Sequence, residues 1–238
     1  MLATGTPTIV VLLAGRPYAL GAAVDEAAAI VQSFFPGEEG TPAIAGVLSG
    51  RVNPSGRLPV SIPARPGAQP STYLAAPLAQ KTDVSNIDPA AAFPFGHGLG
   101  YSSFAWAEGE HGPDTAETDG SVTLGLSVRN TGERSGVEVV QLYLHDPVAS
   151  VVRPVRRLIG FARLELAPGE VAELSIRVPA DVTSFSDRSG LRVVEPGRLE
   201  LQAGRSSGDI LVTRSVTLTG PTRVVGFDRE LHPTFTRR

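Results

Sequence analysis

Two hydrophobic patterns divide the chain. Through the first hundred residues the apolar positions come in unbroken runs; from about Tyr101 they alternate with polar ones. Residues 7–14 (PTIVVLLA) form a β-branched run ended by Gly15, the pattern of a strand buried on both faces of a parallel sheet. Residues 25–35 (DEAAAIVQSFF) are predicted to be a helix, capped by Asp25 and stopped by Pro36-Gly37. Residues 41–48 are a second predicted helix, with Thr41 as cap, Pro42 in the first position and Gly50 at the end. Residues 57–62 (RLPVSI) are predicted to be a short strand. The order strand, helix, helix, strand is the tail of an α/β unit. Residues 63–92 are rich in Pro, Ala, Ser and Gln with little periodicity, as expected of a functional loop or a linker laid over a surface.

The second half reads as an antiparallel β-sandwich. Alternating strands are predicted at residues 122–128 (VTLGLSV), 137–144 (VEVVQLYL), 158–166, 171–178, 199–203 and 210–218. Turn chemistry separates them at Asn130-Thr131-Gly132, Ala167-Pro168-Gly169 and Glu195-Pro196-Gly197. Residues 224–238 are predicted to be a tail, ordered only where something holds it. No internal repeat is visible.

Three stretches carry a family resemblance. Residues 35–63 (FPGEEGTPAIAGVLSGRVNPSGRLPVSIP) contain Pro36, Gly37, Glu39 and Gly40, and then Gly50, Asn53, Pro54, Ser55, Gly56, Arg57, Leu58 and Pro59. They resemble the closing segment of the α/β domain of family 3 glycoside hydrolases, which include β-glucosidases and β-xylosidases. Residues 93–104 (FPFGHGLGYSSF) are similar to the family's junction motif, with Gly100 where Ser is commoner. Residues 130–170 resemble its fibronectin type III-like domain. The wording around Gly15-Arg16-Pro17-Tyr18 and Val84-Ser85-Asn86 is closer to bacterial β-glucosidases and β-xylosidases than to N-acetylglucosaminidases.

The resemblance implies an α+β architecture: an N-terminal α/β remnant followed by an immunoglobulin-like, fibronectin type III-like sandwich. The implied division is the end of the α/β domain at residues 1–63, a linker at 64–100, the sandwich at 101–222 and the tail at 223–238. It also implies retaining, exo-acting hydrolysis of a β-linked oligosaccharide or aryl glycoside. In the family an Asp nucleophile lies in an N-terminal barrel, and an acid/base, usually Glu, lies in the α/β domain ahead of the stretch seen here. This chain is therefore expected to be inactive alone and to need the barrel in cis or in trans. The strand-like run so soon after Met1 strengthens that expectation. A free-standing carbohydrate- or protein-binding module and a truncated reading frame are the alternatives.

Composition removes other classes. Of 238 residues, 42% are hydrophobic and 19% charged, enough to build a core. The net charge of −3 gives no basic surface for nucleic acid. Twenty of the 21 basic residues are Arg, which reads as codon bias, with bidentate recognition of acids as the alternative. With no Cys, disulfides and thiolate metal sites are excluded. No acceptor for N-glycosylation exists, since Asn53 precedes Pro54. The run at residues 8–14 is too short to span a bilayer and lacks the basic flank of a signal peptide, so no membrane partner is expected and the chain reads as soluble, in the cytoplasm or secreted.

No catalytic, cofactor-binding or metal residue is expected within the chain, and no cofactor. Glu38 and Glu39 are the tempting carboxylates. Retaining hydrolysis needs two carboxyls about 5 Å apart on opposite sides of a sugar, which sequence neighbours do not provide. One of them is expected to accept backbone N–H groups at the next helix start. His97, between Gly96 and Gly98, is expected to bond a carbonyl in a tight turn. His111, His145 and His232 stand at no metal-ligand spacing. Asn53-Pro54-Ser55-Gly56 is expected to form an Asx turn that aims the following strand. Tyr101, Trp106 and Tyr143 are expected to pack rather than form a sugar platform. Arg153, Arg156 and Arg157 are expected to be solvated or to lie between domains.

Overall fold

The computed structural model describes residues 2–66, 72–79, 81–85 and 89–238. The linker stretches at 67–71 and 86–88, with Asn86 of the family-like wording, fall outside the described residues.

In the first half, β1 (Ile9–Leu12), a single helical turn α1 (Ala23–Glu26), β2 (Ala29–Gln32) and α2 (Gly40–Leu48) follow in order. β1 and β2 pair in parallel, Val10 beside Ile30 and Val11 beside Val31. Where the sequence predicts one helix over residues 25–35, there is therefore a turn and then a strand. Helix propensity favours Ala over β-branched residues by only a few tenths of a kcal/mol each. Ile30 and Val31 gain more by packing against Val10 and Val11 on a pleated surface. Asp25 is not the cap of α1; that position is Ala22, and Asp25 lies within the turn. α2 begins one residue before Thr41, with Glu39 in the cap position and no side-chain cap bond; the Gly40 N–H returns to the Gly37 carbonyl.

The strand expected over residues 57–62 shrinks to β3 (Ile62–Pro63), which pairs with β4 (Ala91–Phe93). Pro59 has no N–H to give a ladder. Leu58 still exchanges backbone bonds with residues 96 and 97: its N–H reaches the His97 carbonyl at 2.8 Å, and its carbonyl accepts from Gly96 at 2.8 Å.

The second half is a closed sandwich. Its strands are β5 (Phe104–Glu108), β6 (Thr115–Glu117), β7 (Ser121–Asn130), β8 (Gly136–His145), β9 (Arg157–Leu166) and β10 (Val171–Pro179). Then come β11 (Phe185–Ser186), β12 (Arg192–Val194), β13 (Gly197–Ser206), β14 (Asp209–Thr219), β15 (Arg223–Val224) and β16 (Thr234–Arg237). One sheet runs β16-β10-β7-β5, the other β6-β14-β13-β8-β9, and β11-β12-β15 forms a small third sheet. The predicted alternation is the observed burial: Val122, Leu124, Leu126 and Val128 of β7 face Val140, Leu142, Leu201 and Val216 of the other sheet. Each such side chain contributes roughly 1.5–3 kcal/mol by leaving water.

The last fifteen residues are held. β16 pairs antiparallel with β10, Phe235 opposite Ile176, and Phe235 packs against the core. Arg223 donates to the Thr118 carbonyl and to the Asp181 carboxylate, which also accepts the Glu230 N–H at 2.9 Å. Burial pushes the Asp181 carboxyl up, but the bonds from Arg223 and Glu230 outweigh it and hold it below its ordinary 3.8. The unfolded chain then binds more protons in acid, so this contribution is in place above the ordinary value and is lost as pH falls. The melting temperature should accordingly drop more steeply between about pH 4 and pH 3 in the native chain than in Asp181→Asn; parallel profiles in a calorimetric pH series would contradict this.

Candidate functional site

Two regions concentrate polar chemistry: the seam between the halves, and the rim at the carboxyl ends of β1 and β2.

The seam is built on β8, whose expected apolar run VEVVQLYL turns out to be covered on both faces. Val140, Leu142 and Leu144 enter the sandwich core. Gln141 and Tyr143 meet the junction motif instead. The Gln141 amide donates to the carbonyls of Gly96 and Arg205, and the Tyr143 hydroxyl donates to Gln141 Oε1 at 2.6 Å. Gly96 has φ +83°, and a Cβ there would lie 2.0 Å from Gln141 Oε1, so only glycine admits this approach. Tyr73 stacks on Phe95 with centroids 3.9 Å apart and meets Tyr143 edge-on. Burial pushes the Tyr143 phenol well above its ordinary value.

One end of the seam is electrostatic. Glu138, 2% exposed, accepts Arg57 at 3.0 Å through Oε2 and the Trp106 indole at 2.9 Å through Oε1. Burial lowers the Arg57 guanidinium, and Glu138 opposes that. Nearby, Asn53 accepts the Tyr101 N–H at 2.7 Å and donates to the Ser135 carbonyl at 2.9 Å. The Tyr101 hydroxyl reaches the Val47 carbonyl at 2.7 Å, and Arg134 the Gly50 carbonyl at 2.8 Å. Asn53 thus spans the two halves rather than closing an Asx turn on its own backbone. Trp106, Tyr101 and Tyr143 pack separately along this seam and form no common sugar platform.

Other expected roles move. The His97 ring stacks on Phe93 at 5.2 Å, and burial lowers its imidazole; in the turn it is the backbone N–H of His97 that bonds, to the Pro94 carbonyl. His111 accepts the Gly125 N–H at 3.1 Å. Arg153, Arg156 and Arg157 are partly buried: Arg153 pairs with Asp146 at 3.6 Å and lies over the Phe185 ring, while Arg156 and Arg157 donate to the Ser207 and Val182 carbonyls. Their aliphatic stems and buried acceptors gave no periodic signal. Arg214 is a further surprise, a buried charge on β14 clasped by Asp114 and the Gly112 and Thr123 carbonyls.

The rim follows Leu12 and Gln32. The Ser33 hydroxyl and N–H both go to the Leu12 carbonyl, and Gln32 donates to the Ala14 carbonyl, joining the two strand ends. Phe34 then adopts φ +52°, a left-handed conformation that costs a bulky residue free energy and clusters at functional positions. Phe35, Glu38 and Glu39 are exposed, and no glutamate side chain makes a cap bond to α2. Among the described residues no group of three or more His, Asp or Glu side chains is placed to hold a metal, and no helix is long and apolar enough to cross a membrane.

Residues 1–101 match the glycosyl hydrolase family 3 C-terminal domain, and residues 138–207 match a fibronectin type III-like domain. A β-xylosidase of Formosa agariphila is 36% identical over 90% of this chain, and a periplasmic β-glucosidase of Salmonella typhimurium is 37% identical over 87% of it. The chain spans only 30% and 28% of those two relatives. A β-glucosidase structure from Erythrobacter marinus superimposes with a TM-score of 0.84 at 37% identity, covering 92% of this chain and 29% of that one. A Listeria innocua β-glucosidase solved with glucose gives 0.85 at 29% identity, covering 92% and 32%.

The seam generates a direct test. Removing one member of a buried ion pair leaves an unpaired charge, at a cost of about 3–5 kcal/mol, whereas replacing both with apolar groups can be near neutral. Glu138→Ala should lose about that much in urea unfolding, and Arg57→Met with Glu138→Met should recover most of it. Additive losses in the double variant would mean that the pair is not coupled.

Proposed function

This chain belongs to glycoside hydrolase family 3, as the C-terminal part of the α/β domain followed by the fibronectin type III-like domain, and we propose that it is the structural portion of a retaining, exo-acting β-glucosidase or β-xylosidase. In that reaction a carboxylate attacks the anomeric carbon while a carboxylic acid protonates the departing glycosidic oxygen; water then cleaves the glycosyl–enzyme ester, and the acid, now a base, takes its proton. Both groups come from parts of the assembled enzyme outside these 238 residues. This chain supplies the closing strands of the α/β domain and fixes the sandwich against them.

The reading rests on one observation above others: the likeness to β-glucosidase structures covers 92% of this chain and so takes in both halves. The carboxylates support it. Glu138 is committed to Arg57 and Trp106, Asp146 to Arg153, and Glu38 and Glu39 are adjacent and exposed. The β1–β2 sheet supports it too. Isolated two-stranded sheets are marginal in water, and parallel strands are ordinarily covered on both faces, yet Ile9 and Leu13 here are exposed. The alternative of a free-standing binding module draws on the self-contained sandwich core, but it leaves those strands without a purpose.

The purified chain should hydrolyse p-nitrophenyl β-glucoside and β-xyloside no faster than buffer. Fused or mixed with the remaining portion of a family relative such as the Salmonella typhimurium β-glucosidase, it should support turnover. An enzyme-like rate from the chain alone would show that the catalytic carboxylates lie within it.

A further inference from the structure

We propose that His97 is an acid-sensitive latch at the seam, which closes the join while its imidazole is neutral and loosens it when the ring takes a proton. The inference stands apart from the glycosidase reading, since every group it uses lies within this chain.

The His97 backbone is at the centre of the join. Its carbonyl accepts the Leu58 N–H at 2.8 Å, and its own N–H goes to the Pro94 carbonyl at 3.0 Å. Gly96, just before it, bonds the Leu58 carbonyl and accepts the Gln141 amide. Gly98, just after it, is wedged: a Cβ there would lie 2.3 Å from the Gly56 carbonyl oxygen and 3.0 Å from Arg57 Cδ. The ring is thus mounted on backbone with little room to shift.

Its surroundings suit a neutral imidazole. The ring stacks on Phe93. Two charged groups act on it: Arg57 from the end of the α/β segment, and Asp209 from the start of β14. Arg163 and Arg205 add positive charge around Arg57. The carboxylates here already have cations: Asp209 pairs with Arg205 at 3.1 Å, and Glu138 with Arg57 at 3.0 Å. A proton on His97 therefore adds an imidazolium to three guanidinium groups, and its repulsion falls on Arg57, the cation that ties the α/β segment to Glu138. Burial first and Arg57 second hold the imidazole below its ordinary 6.5, with Asp209 opposing. The unfolded chain then takes the proton more readily than the folded one. The latch's contribution is complete above about pH 6.5 and is lost as pH falls through the lower folded value.

The test is amide hydrogen exchange of the full chain, followed by NMR from about pH 7 to about pH 5 and corrected for intrinsic exchange. Protection of the Leu58 and Gly96 amides should fall severalfold over that range, while the amides of β7 and β8 hold theirs. The midpoint should coincide with the titration of the His97 ring and lie below 6.5. His97→Phe keeps a ring on Phe93 but takes up no proton, and its Leu58 and Gly96 protection should stay level. Asp209→Asn removes the opposing carboxylate and should move the His97 midpoint lower still, a test that holds even where His97→Phe does not fold. Level protection at Leu58 and Gly96 in the native chain would overturn the latch. So would an equal loss in His97→Phe, a His97 midpoint at or above the ordinary value, or a midpoint that Asp209→Asn leaves unmoved.

Discussion

The Glu138 carboxylate joins the two halves of this molecule. It lies in the sandwich, but one of its partners, Arg57, comes from the end of the α/β segment and the other, Trp106, from the first strand of the sandwich. A carboxylate with so little access to water is tolerable only if both oxygens are satisfied by strong donors, and the guanidinium and the indole do that. The geometry then fixes more than the pair. Arg57 follows directly on Asn53-Pro54-Ser55-Gly56, and Asn53 bonds residues on the far side of the seam. Holding Arg57 in place therefore holds that turn, and through Leu58 the His97 and Gly96 backbone. Charge, turn and junction motif form one connected network.

The halves differ in how they are stabilised. The sandwich buries a continuous core of leucines, valines and isoleucines from both sheets. In the first half, β1 and β2 have no fully buried residue, and the buried side chains nearest the seam are Ser61, Ile62 and Pro63. Local opening follows few buried contacts, so the strand pair is the low-stability end of the molecule and the seam is the boundary. A parallel pair with apolar faces in water gains stability from whatever covers it, which is the physical content of assigning these strands to a larger enzyme.

Much of the fold was legible in the sequence, and the failures have a common cause. Alternation located the long sandwich strands where one face is buried, and β8, covered on both faces, showed instead as a nearly continuous apolar run. The family-like motifs hold residues that meet at the seam: close approach requires glycine at 96, and Asn53, expected only to close a local turn, bonds across it. The stretch from Ala27 to Gln32 was misread as helix because alanine-rich local preference is weak beside pairing with a distant strand. Pro59 should have argued against a strand over residues 57–62. The buried roles of Arg57, Glu138 and Arg214 were invisible for another reason. A charged residue in a strand pattern reads as solvent-facing, and only tertiary neighbours reveal that its partner is eighty or a hundred residues away. Of the rim, the sequence showed the glutamates but not the strain at Phe34, which no composition encodes.

The two regions make sense together. Glycoside cleavage demands that groups on different segments meet one sugar to within a fraction of an ångström, and loops alone hold such tolerances poorly. The rim residues lie on loops, but those loops are short extensions of β1 and β2 tied to each other by Ser33 and Gln32. The strands in turn belong to a segment whose later residues are clamped to the sandwich. On the proposed function, a rigid sandwich behind a rim converts burial at the seam into fixed geometry for the strand ends. On the proposed function, the sandwich contributes to catalysis without touching substrate, and its buried arginines and glutamate matter because a seam that slips would shift every residue the strands present.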